Sequence, residues 1–98
     1  MSSLRKEGYM KKLGAKFKTW KRRYFILKGN SLSYYQQKDG DLIGTIYLTP
    51  QCTITMSLEK SNCIELKTSD RTWYFIPPDE MELNAWQGAI QEGIWLDH

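Results

Sequence analysis

The spacing of apolar residues changes once along this chain, and that change constrains the fold more than any other feature. Between residues 7 and 76, apolar residues recur at every second position in short runs, the period of half-buried strands. Turn sequences such as Gly29-Asn30 and Lys38-Asp39-Gly40-Asp41 separate the runs. After Pro77-Pro78 the spacing becomes three and four residues, which is the period of a helix. The pattern therefore predicts a mainly β structure followed by one C-terminal α-helix.

Seven segments of the chain have the composition and alternation of strands. They are Glu7–Leu13, Trp20–Lys28, Leu32–Gln36, Gly44–Leu48, Cys52–Ser57, Cys63–Thr68 and Thr72–Ile76. The lysine-rich segment Gly14–Thr19 forms a loop between the first two. Seven short strands at this spacing are typical of an antiparallel barrel or sandwich.

The helix is predicted over about residues 79–95. Asp79 is a favourable N-cap, and Glu82 three residues later completes a capping box. Its apolar stripe consists of Leu83, Trp86, Ile90 and Ile94. We expect this stripe to cover an open end or face of the strands.

The length of the chain, 98 residues, fits a single domain over residues 1–98 without linkers or repeats. Its apolar runs are much shorter than the roughly 20 residues of a membrane-spanning helix. The first residues lack the apolar stretch of a signal peptide. We therefore expect a cytoplasmic, monomeric protein or a cytoplasmic fragment of a larger one.

The charged residues are distributed unevenly. Residues 1–28 contain ten Lys and Arg but only one acidic residue, Glu7, whereas residues 29–98 contain four basic and ten acidic residues. The net charge of +3 conceals this asymmetry. A chain polarised in this way is expected to present a positive end to an anionic partner.

Few residues of this chain suit catalysis or metal binding. Its one histidine is the terminal His98, and the spacing of Cys52 and Cys63 matches no zinc or redox pattern. Turn and helix-start roles account for the closely spaced acidic residues. We expect no enzyme activity, no metal and no cofactor, and we expect both cysteines to be reduced and structural.

Strand alternation brings several basic residues to one face. If Phe25 and Leu27 face the interior, Lys21 and Arg23 share that face near the start of the second strand. By the same alternation, Lys12 on the first strand and Tyr34 on the third point inward. We therefore expect four side chains to converge at one open mouth: Lys12, Lys21, Arg23 and Tyr34.

Buried cations without partners are costly, so this cluster must remain hydrated, pair with Asp or Glu, or bind an anion. Lysine supplies a point charge and arginine a two-pronged donor, which together suit a compact ligand with several phosphates.

The loop between the first two strands holds Phe17 between Lys16 and Lys18. An exposed ring flanked by cations suits the interface of an anionic membrane. Alternatively, Phe17 folds back onto the strands. The sequence leaves both arrangements open.

Three segments together resemble the pleckstrin homology (PH) domain family. Glu7–Gly14 resembles its opening strand, Trp20–Leu27 its second strand, and Trp86 its most recurrent residue. The resemblance implies a seven-stranded antiparallel barrel of two nearly orthogonal sheets, with the helix capping one end. It also implies a lipid-headgroup site at the opposite, open end.

The resemblance assigns residues to that site. Lys12, Lys21 and Arg23 occupy the positions of the phosphate-binding residues, and Tyr34 corresponds to a ligand-contacting tyrosine. Lys12-Leu13-Gly14, six residues, Lys21-Arg22-Arg23 and two aromatic residues are similar to the subset that binds 3-phosphorylated inositides. Lys16, Phe17, Lys18 and Arg71 are further candidates for headgroup or membrane contacts. Ile43 stands where high-affinity members often carry arginine, and Asp70 would repel phosphate.

The resemblance thus implies a non-catalytic module that binds phosphoinositides, preferring the 3,4-bisphosphate or the 3,4,5-trisphosphate. Such a module would be recruited peripherally to the plasma membrane or another membrane that bears these lipids. The alternative is a protein-interaction module on the same fold, with weak nonspecific binding to anionic lipid. Nucleic-acid binding ranks lowest, because the chain lacks an array of stacking aromatic residues on one strand face.

Overall fold

The computed structural model describes residues 4–96, so the terminal His98 lies outside the described residues. It contains seven strands and one helix: β1 (Arg5–Leu13), β2 (Trp20–Lys28), β3 (Ser31–Tyr35), β4 (Leu42–Tyr47), β5 (Thr53–Met56), β6 (Ile64–Lys67), β7 (Thr72–Ile76) and α1 (Glu80–Ile94). Each element begins and ends within two residues of its predicted bounds. The predicted class, seven antiparallel strands followed by one C-terminal helix, is confirmed.

The strands form one continuous sheet in the order β4-β3-β2-β1-β7-β6-β5. β1 lies at the centre: it pairs with β2 along its whole length, but with β7 only at Lys11 and Lys12. This short junction joins a four-stranded layer, β1–β4, to a three-stranded layer, β5–β7. The expected barrel is not closed by hydrogen bonds, because no ladder joins β4 to β5 within residues 4–96.

The two layers enclose one apolar core. Phe25 and Leu27 of β2 and Leu32 of β3 are fully buried, as their alternation predicts. They pack with Leu66 of β6 and Phe75 of β7 in one cluster. The inner face predicted from the sequence is therefore the inner face of the fold.

The helix completes this core. Leu83, Trp86, Ile90 and Ile94 are all buried in it. The Asp79 side chain caps the helix by accepting a hydrogen bond from the backbone N–H of Glu82 (2.8 Å). The Glu82 carboxylate, which was predicted to complete a capping box, instead accepts hydrogen bonds from Lys6 Nζ at 3.1 and 3.3 Å. This ion pair fixes the start of α1 against the start of β1.

The outer face of β1 and β2 carries a polar cluster that alternation alone does not predict. Tyr24 points away from the core, yet it is buried. Its hydroxyl donates to Glu7 Oε1 (2.7 Å), and its ring meets Tyr9 edge to face at 4.8 Å. This hydrogen bond lowers the pKa of Glu7 and raises the pKa of Tyr24 to about 12.

Both cysteines lie in the interior as free thiols, and burial raises the pKa of Cys63. Within residues 4–96, no helix is long and apolar enough to cross a bilayer.

Candidate functional site

A cleft of about 210 Å³ opens at the end of the sheet where β1 leads into β2. It contains all four side chains expected to converge, together with Lys16 and Phe17, two of the loop residues predicted as further headgroup or membrane contacts. The cleft is lined by Lys12, Gly14, Ala15, Lys16, Phe17, Thr19, Lys21, Arg23, Tyr34 and Ile43. We call this space the Lys12 cleft.

The pairing of β1 with β2 explains why the cations are neighbours. Lys12 lies directly opposite Lys21, and Arg23 is two residues further along the same face of β2. Cβ atoms of directly opposed residues in an antiparallel pair are about 4.5–5.5 Å apart, and like charges there are destabilising. Within residues 4–96 the ion pairs are Arg5–Glu7 and Lys6–Glu82, so no carboxylate offsets this repulsion.

Lys12 is the most constrained of these cations. It is half-buried, and its Nζ lies 4.9 Å from the ring centroid of Tyr34 and 5.3 Å from that of Trp73. Burial lowers the pKa of Lys12, and the charges of Arg71, Arg23 and Lys21 lower it further. A lowered pKa means that the surroundings disfavour the charged form, despite the attraction of the two rings. An anion placed in the cleft would relieve this imbalance.

Tyr34 reaches the cleft because its neighbour on β4 has no side chain. Tyr34 pairs with Gly44, and a Cβ atom at Gly44 would lie 2.7 Å from the tyrosine hydroxyl oxygen. The backbone of Gly44 is outside the left-handed region, so this glycine is required for space rather than for conformation. The ring is held between Phe25 and Trp73, at centroid distances of 5.7 and 5.8 Å.

Arg22 and Arg23 point in opposite directions. The Arg23 side chain is half-buried and lines the Lys12 cleft, and its Nη1 donates to the carbonyl of Arg22 (3.2 Å). The Arg22 guanidinium lies over the ring of Tyr9 at 3.5 Å, on the outer face of the sheet. It lines a different cleft of about 390 Å³, together with Pro77 and Pro78. Only one of the two adjacent arginines therefore belongs to the candidate site.

Arg71 lies beside the Lys12 cleft rather than in its wall. Its guanidinium stacks on Trp73 at 3.6 Å and lines a neighbouring cleft of about 340 Å³ that also contains Asp70. Its charge still acts on Lys12. Trp73 thus contacts both Lys12 and Arg71, a role that was not predicted from the sequence. Its position two residues before the buried Phe75 is the signal that could have placed it on the inner face.

The β1–β2 loop has a defined shape. The backbone N–H of Gly14 donates to the carbonyl of Thr19 (3.0 Å), and that of Thr19 donates to the carbonyl of Phe17 (2.7 Å). A Cβ atom at Gly14 would collide with the Phe17 carbonyl oxygen, so the turn requires glycine there. The Phe17 side chain is 73% exposed, and therefore it does not fold back onto the strands. Lys16 and Lys18 beside it are exposed.

The arrangement is suited to holding a polyanion. Four cations and a phenol line one cleft, a fifth cation, Arg71, lies beside it, and no acidic side chain lines it. Nowhere in residues 4–96 do three His, Cys, Asp or Glu residues form a group that could hold a metal ion.

Comparison with known proteins gives consistent matches. The sequence profile of the PH domain family matches residues 4–94. The chain is 40% identical over 87 residues to a RAC family serine/threonine-protein kinase homolog of Dictyostelium discoideum, covering 85% of this chain and 19% of that protein. It is 37% identical over 95 residues to Switch-associated protein 70 of Mus musculus, covering 93% of this chain and 16% of that protein. The chain thus spans about a fifth or less of the length of these relatives.

Among solved structures, the fold is similar to the C-terminal PH domain of pleckstrin. In its complex with D-myo-Ins(1,2,3,4,5)P5, that domain is 33% identical with a TM-score of 0.76, over 88% of this chain and 93% of that one. In its complex with D-myo-Ins(1,2,3,5,6)P5, the sequence identity is 32% and the TM-score is 0.80, over 91% of this chain and 93% of that one.

Proposed function

Because this chain belongs to the PH domain family, we propose that it is a non-catalytic module that binds phosphoinositide headgroups in the Lys12 cleft. One observation carries the proposal. Lys12 is half-buried, faces Lys21 across the β1–β2 ladder, and has no carboxylate partner within residues 4–96. Keeping like charges together without a counterion costs stability, and a headgroup bearing several phosphates supplies that counterion.

The roles of the site residues follow from their positions. Lys12 and Lys21 contribute point charges, and the Arg23 guanidinium can donate two parallel hydrogen bonds to one phosphate. The Tyr34 hydroxyl, held above Gly44, donates a further hydrogen bond. The two pleckstrin complexes with inositol pentakisphosphates support this class of ligand, since the related domain binds highly phosphorylated inositols.

Within this class, we propose a preference for 3-phosphorylated inositides, in agreement with the spacing of Lys12, Lys21 and Arg23. Discrimination between the 3,4-bisphosphate and the 3,4,5-trisphosphate should be limited. Ile43 lines the cleft where an arginine would add a donor, and Arg71 is held on Trp73 outside the cleft wall.

The proposal includes peripheral recruitment of a cytoplasmic monomer to membranes that bear these lipids. Lys16 and Lys18 would attract anionic lipid by about 1 kcal/mol each when close to the surface. Phe17 between them would enter the interfacial region. Arg71 would strengthen the positive potential at the same end of the molecule.

Calorimetry with soluble inositol 1,3,4,5-tetrakisphosphate tests the site. Arg23→Ala should weaken binding by about tenfold to a hundredfold, because a charge-assisted hydrogen bond contributes roughly 1.5–3 kcal/mol. Lys28→Ala is the matched control: it removes an exposed cation from the far end of the same strand. It should leave the affinity nearly unchanged. Equal affinities of a folded Arg23→Ala variant and the wild type would refute the assignment.

A further inference from the structure

The loop between β5 and β6 presents one apolar side chain to solvent in a fixed position. Leu58 is fully exposed. The backbone N–H of Ser57 donates to the carbonyl of Cys63 (2.8 Å) and closes the base of the loop. The Ser57 hydroxyl accepts from the N–H of Glu59 (3.2 Å), and Asn62 adopts a left-handed φ of 54°. Leu58 is thus held outward by an ordered turn.

The β1–β2 loop presents Phe17 in the same manner. It too is closed at its base by a backbone hydrogen bond, from Gly14 to Thr19, and it has an internal turn at Phe17. Each loop therefore holds a single large apolar side chain in solvent.

The two loops are neighbours. A cleft of about 370 Å³ is lined by Lys18 from the first loop and by Ser57, Glu59 and Lys60 from the second. Its floor includes Trp20, over whose ring the Lys60 Nζ lies at 5.6 Å. The residues on either side of Leu58 and the residue next to Phe17 therefore border one space.

We propose that Leu58 is a second membrane-inserting side chain, which enters the interface of an anionic bilayer alongside Phe17. The proposal rests on the proposed function and extends its membrane contact from one loop to two. Charge complementarity identifies the occupant as an anionic lipid surface, because the two loops carry three lysines and only one carboxylate. The lysines are Lys16, Lys18 and Lys60, and the carboxylate is Glu59.

A second anchor has a geometric consequence. A domain held by one loop can rotate about it, whereas two loops define a line and restrict that rotation. The Lys12 cleft, which shares the β1–β2 loop, would then be presented to the membrane at a fixed tilt.

The test compares Leu58→Ser with Met81→Ser, which removes a side chain of similar exposure (79%) from the first turn of α1. That turn is held to Lys6, near the start of β1, by the Lys6–Glu82 ion pair. The β1–β2 loop follows the other end of β1, about 23 Å from Lys6 if each strand residue advances about 3.3 Å. Binding is measured to phosphatidylcholine vesicles with phosphatidylserine, with and without phosphatidylinositol 3,4,5-trisphosphate. Soluble inositol 1,3,4,5-tetrakisphosphate binding is measured in parallel.

We expect Leu58→Ser to weaken binding to both kinds of vesicle by about tenfold, the effect of losing partial burial of one leucine. Binding of the soluble headgroup and the behaviour of Met81→Ser should match the wild type. Unchanged vesicle binding by Leu58→Ser would overturn the inference while leaving the proposed function intact. Lost headgroup binding by Leu58→Ser would overturn it too, since Leu58 would then act through the fold. If the wild type binds phosphatidylserine vesicles in a Leu58-dependent way but binds no headgroup, the proposed function fails and the inference stands.

A direct measurement of depth complements these titrations. A nitroxide attached through Leu58→Cys, with Cys52 and Cys63 protected by burial, should become accessible to oxygen and inaccessible to a polar relaxant on vesicles. A label attached through Met81→Cys should remain in water. Equal accessibility of both labels to the polar relaxant would contradict insertion. Concentration-dependent self-association that Leu58→Ser abolishes would assign the loop to a second copy of the chain instead.

Discussion

Lys12 connects the stability of this domain to its proposed ligand. It is half-buried among two aromatic rings and three other cations, and its pKa is lowered chiefly by burial. A base whose pKa falls on folding is less stable as a cation in the folded protein than in the unfolded one. The unliganded fold therefore carries a cost at this residue, which a bound phosphate would offset.

Replacing that cation should separate stability from binding. Lys12→Met keeps the length of the side chain and removes the charge. We expect it to raise the free energy of unfolding by about 0.5–2 kcal/mol at pH 7 and to weaken headgroup binding by at least about tenfold. Urea unfolding and calorimetry measure the two effects. The control, Lys11→Met on the exposed face of β1, should change stability by less than about 0.5 kcal/mol.

The sign of the pH dependence provides a second check. Because the folded pKa of Lys12 is the lower one, its cost is present in full below that pKa and disappears as pH rises from the folded pKa to the unfolded one. The stability advantage of Lys12→Met should therefore shrink as pH rises toward 10.5, the ordinary lysine pKa. A variant less stable than the wild type at pH 7 would mean that attraction to the Tyr34 and Trp73 rings outweighs burial.

Gly44 is expected to act on the site through Tyr34. In Gly44→Ala the new methyl group would lie 2.7 Å from the tyrosine hydroxyl oxygen, so the ring must shift. We expect headgroup affinity to fall by about three- to tenfold, with a change in tyrosine and tryptophan near-ultraviolet circular dichroism, because the shifted hydroxyl makes a weaker hydrogen bond to the headgroup. In the Tyr34→Phe background, Gly44→Ala should cost little further affinity. Additive losses in the double variant would show that Gly44 acts independently of Tyr34.

At the scale of elements, the β1–β2 loop is the part of the structure that separates headgroup binding from membrane binding. Phe17 is exposed, and its backbone, rather than its ring, maintains the turn. The loop can therefore lose this ring without losing its shape.

Phe17→Ala should accordingly leave soluble headgroup binding nearly unchanged and weaken vesicle binding by about tenfold or more, since a buried Phe side chain contributes roughly 1.5–3 kcal/mol. The control is Tyr47→Ala, which removes an exposed aromatic residue from the last position of β4. This variant should bind vesicles like the wild type. Calorimetry and vesicle sedimentation supply the two affinities. Equal losses in both assays would instead mean that Phe17 contacts the headgroup or supports the fold.

Much of this site is predictable from local patterns. Strand alternation is set by backbone geometry, so Phe25 in the core implies Arg23 on the inner face. The same reasoning placed Lys12 and Tyr34 in the cleft. Turn sequences and the helix cap at Asp79 then placed the element boundaries to within two residues.

What the sequence did not predict depends on contacts between distant segments. The proximity of Arg71 to Lys12 follows from the pairing of β1 with β7, which no local pattern specifies. The space above Gly44 exists because of the register of β3 with β4. Tyr24 can be buried on the outer face because Glu7 from the neighbouring strand accepts a hydrogen bond from its hydroxyl.

At the scale of the whole molecule, the fold places most of the basic residues of the first two strands at one end. Of the ten cations among the first 28 residues, seven lie in or near the β1–β2 loop, whereas Arg5, Lys6 and Lys28 lie at the opposite end of the two strands. The first turn of α1, with Glu80 and Glu82, lies at the start of β1 instead. The molecule is therefore strongly dipolar, with its positive end at the Lys12 cleft.

This dipole predicts a difference in salt sensitivity. Binding to vesicles that carry phosphatidylserine alone should fall by about tenfold or more between 0.05 and 0.5 M salt, because exposed charges are screened over a few ångströms at high salt. Soluble inositol tetrakisphosphate binding should fall less steeply, because Lys12 and Arg23 are partly buried. Neutral phosphatidylcholine vesicles provide the baseline. Equal salt slopes for both ligands would indicate that the cleft behaves like an open charged surface.

The position of β1 at the centre of the sheet also affects how the chain folds. β1 is synthesised before the other six strands but completes its pairing only with β7, and the Lys6–Glu82 contact spans 76 positions. Until α1 emerges, the Trp86 indole and the other buried side chains of the helix are missing from the core, so the inner face of β1–β4 is covered only by β5–β7. Closing so long a loop is slow and costs entropy before any contact compensates for it. The nascent chain must therefore keep the part of this apolar face that α1 covers from aggregating until the helix has been made.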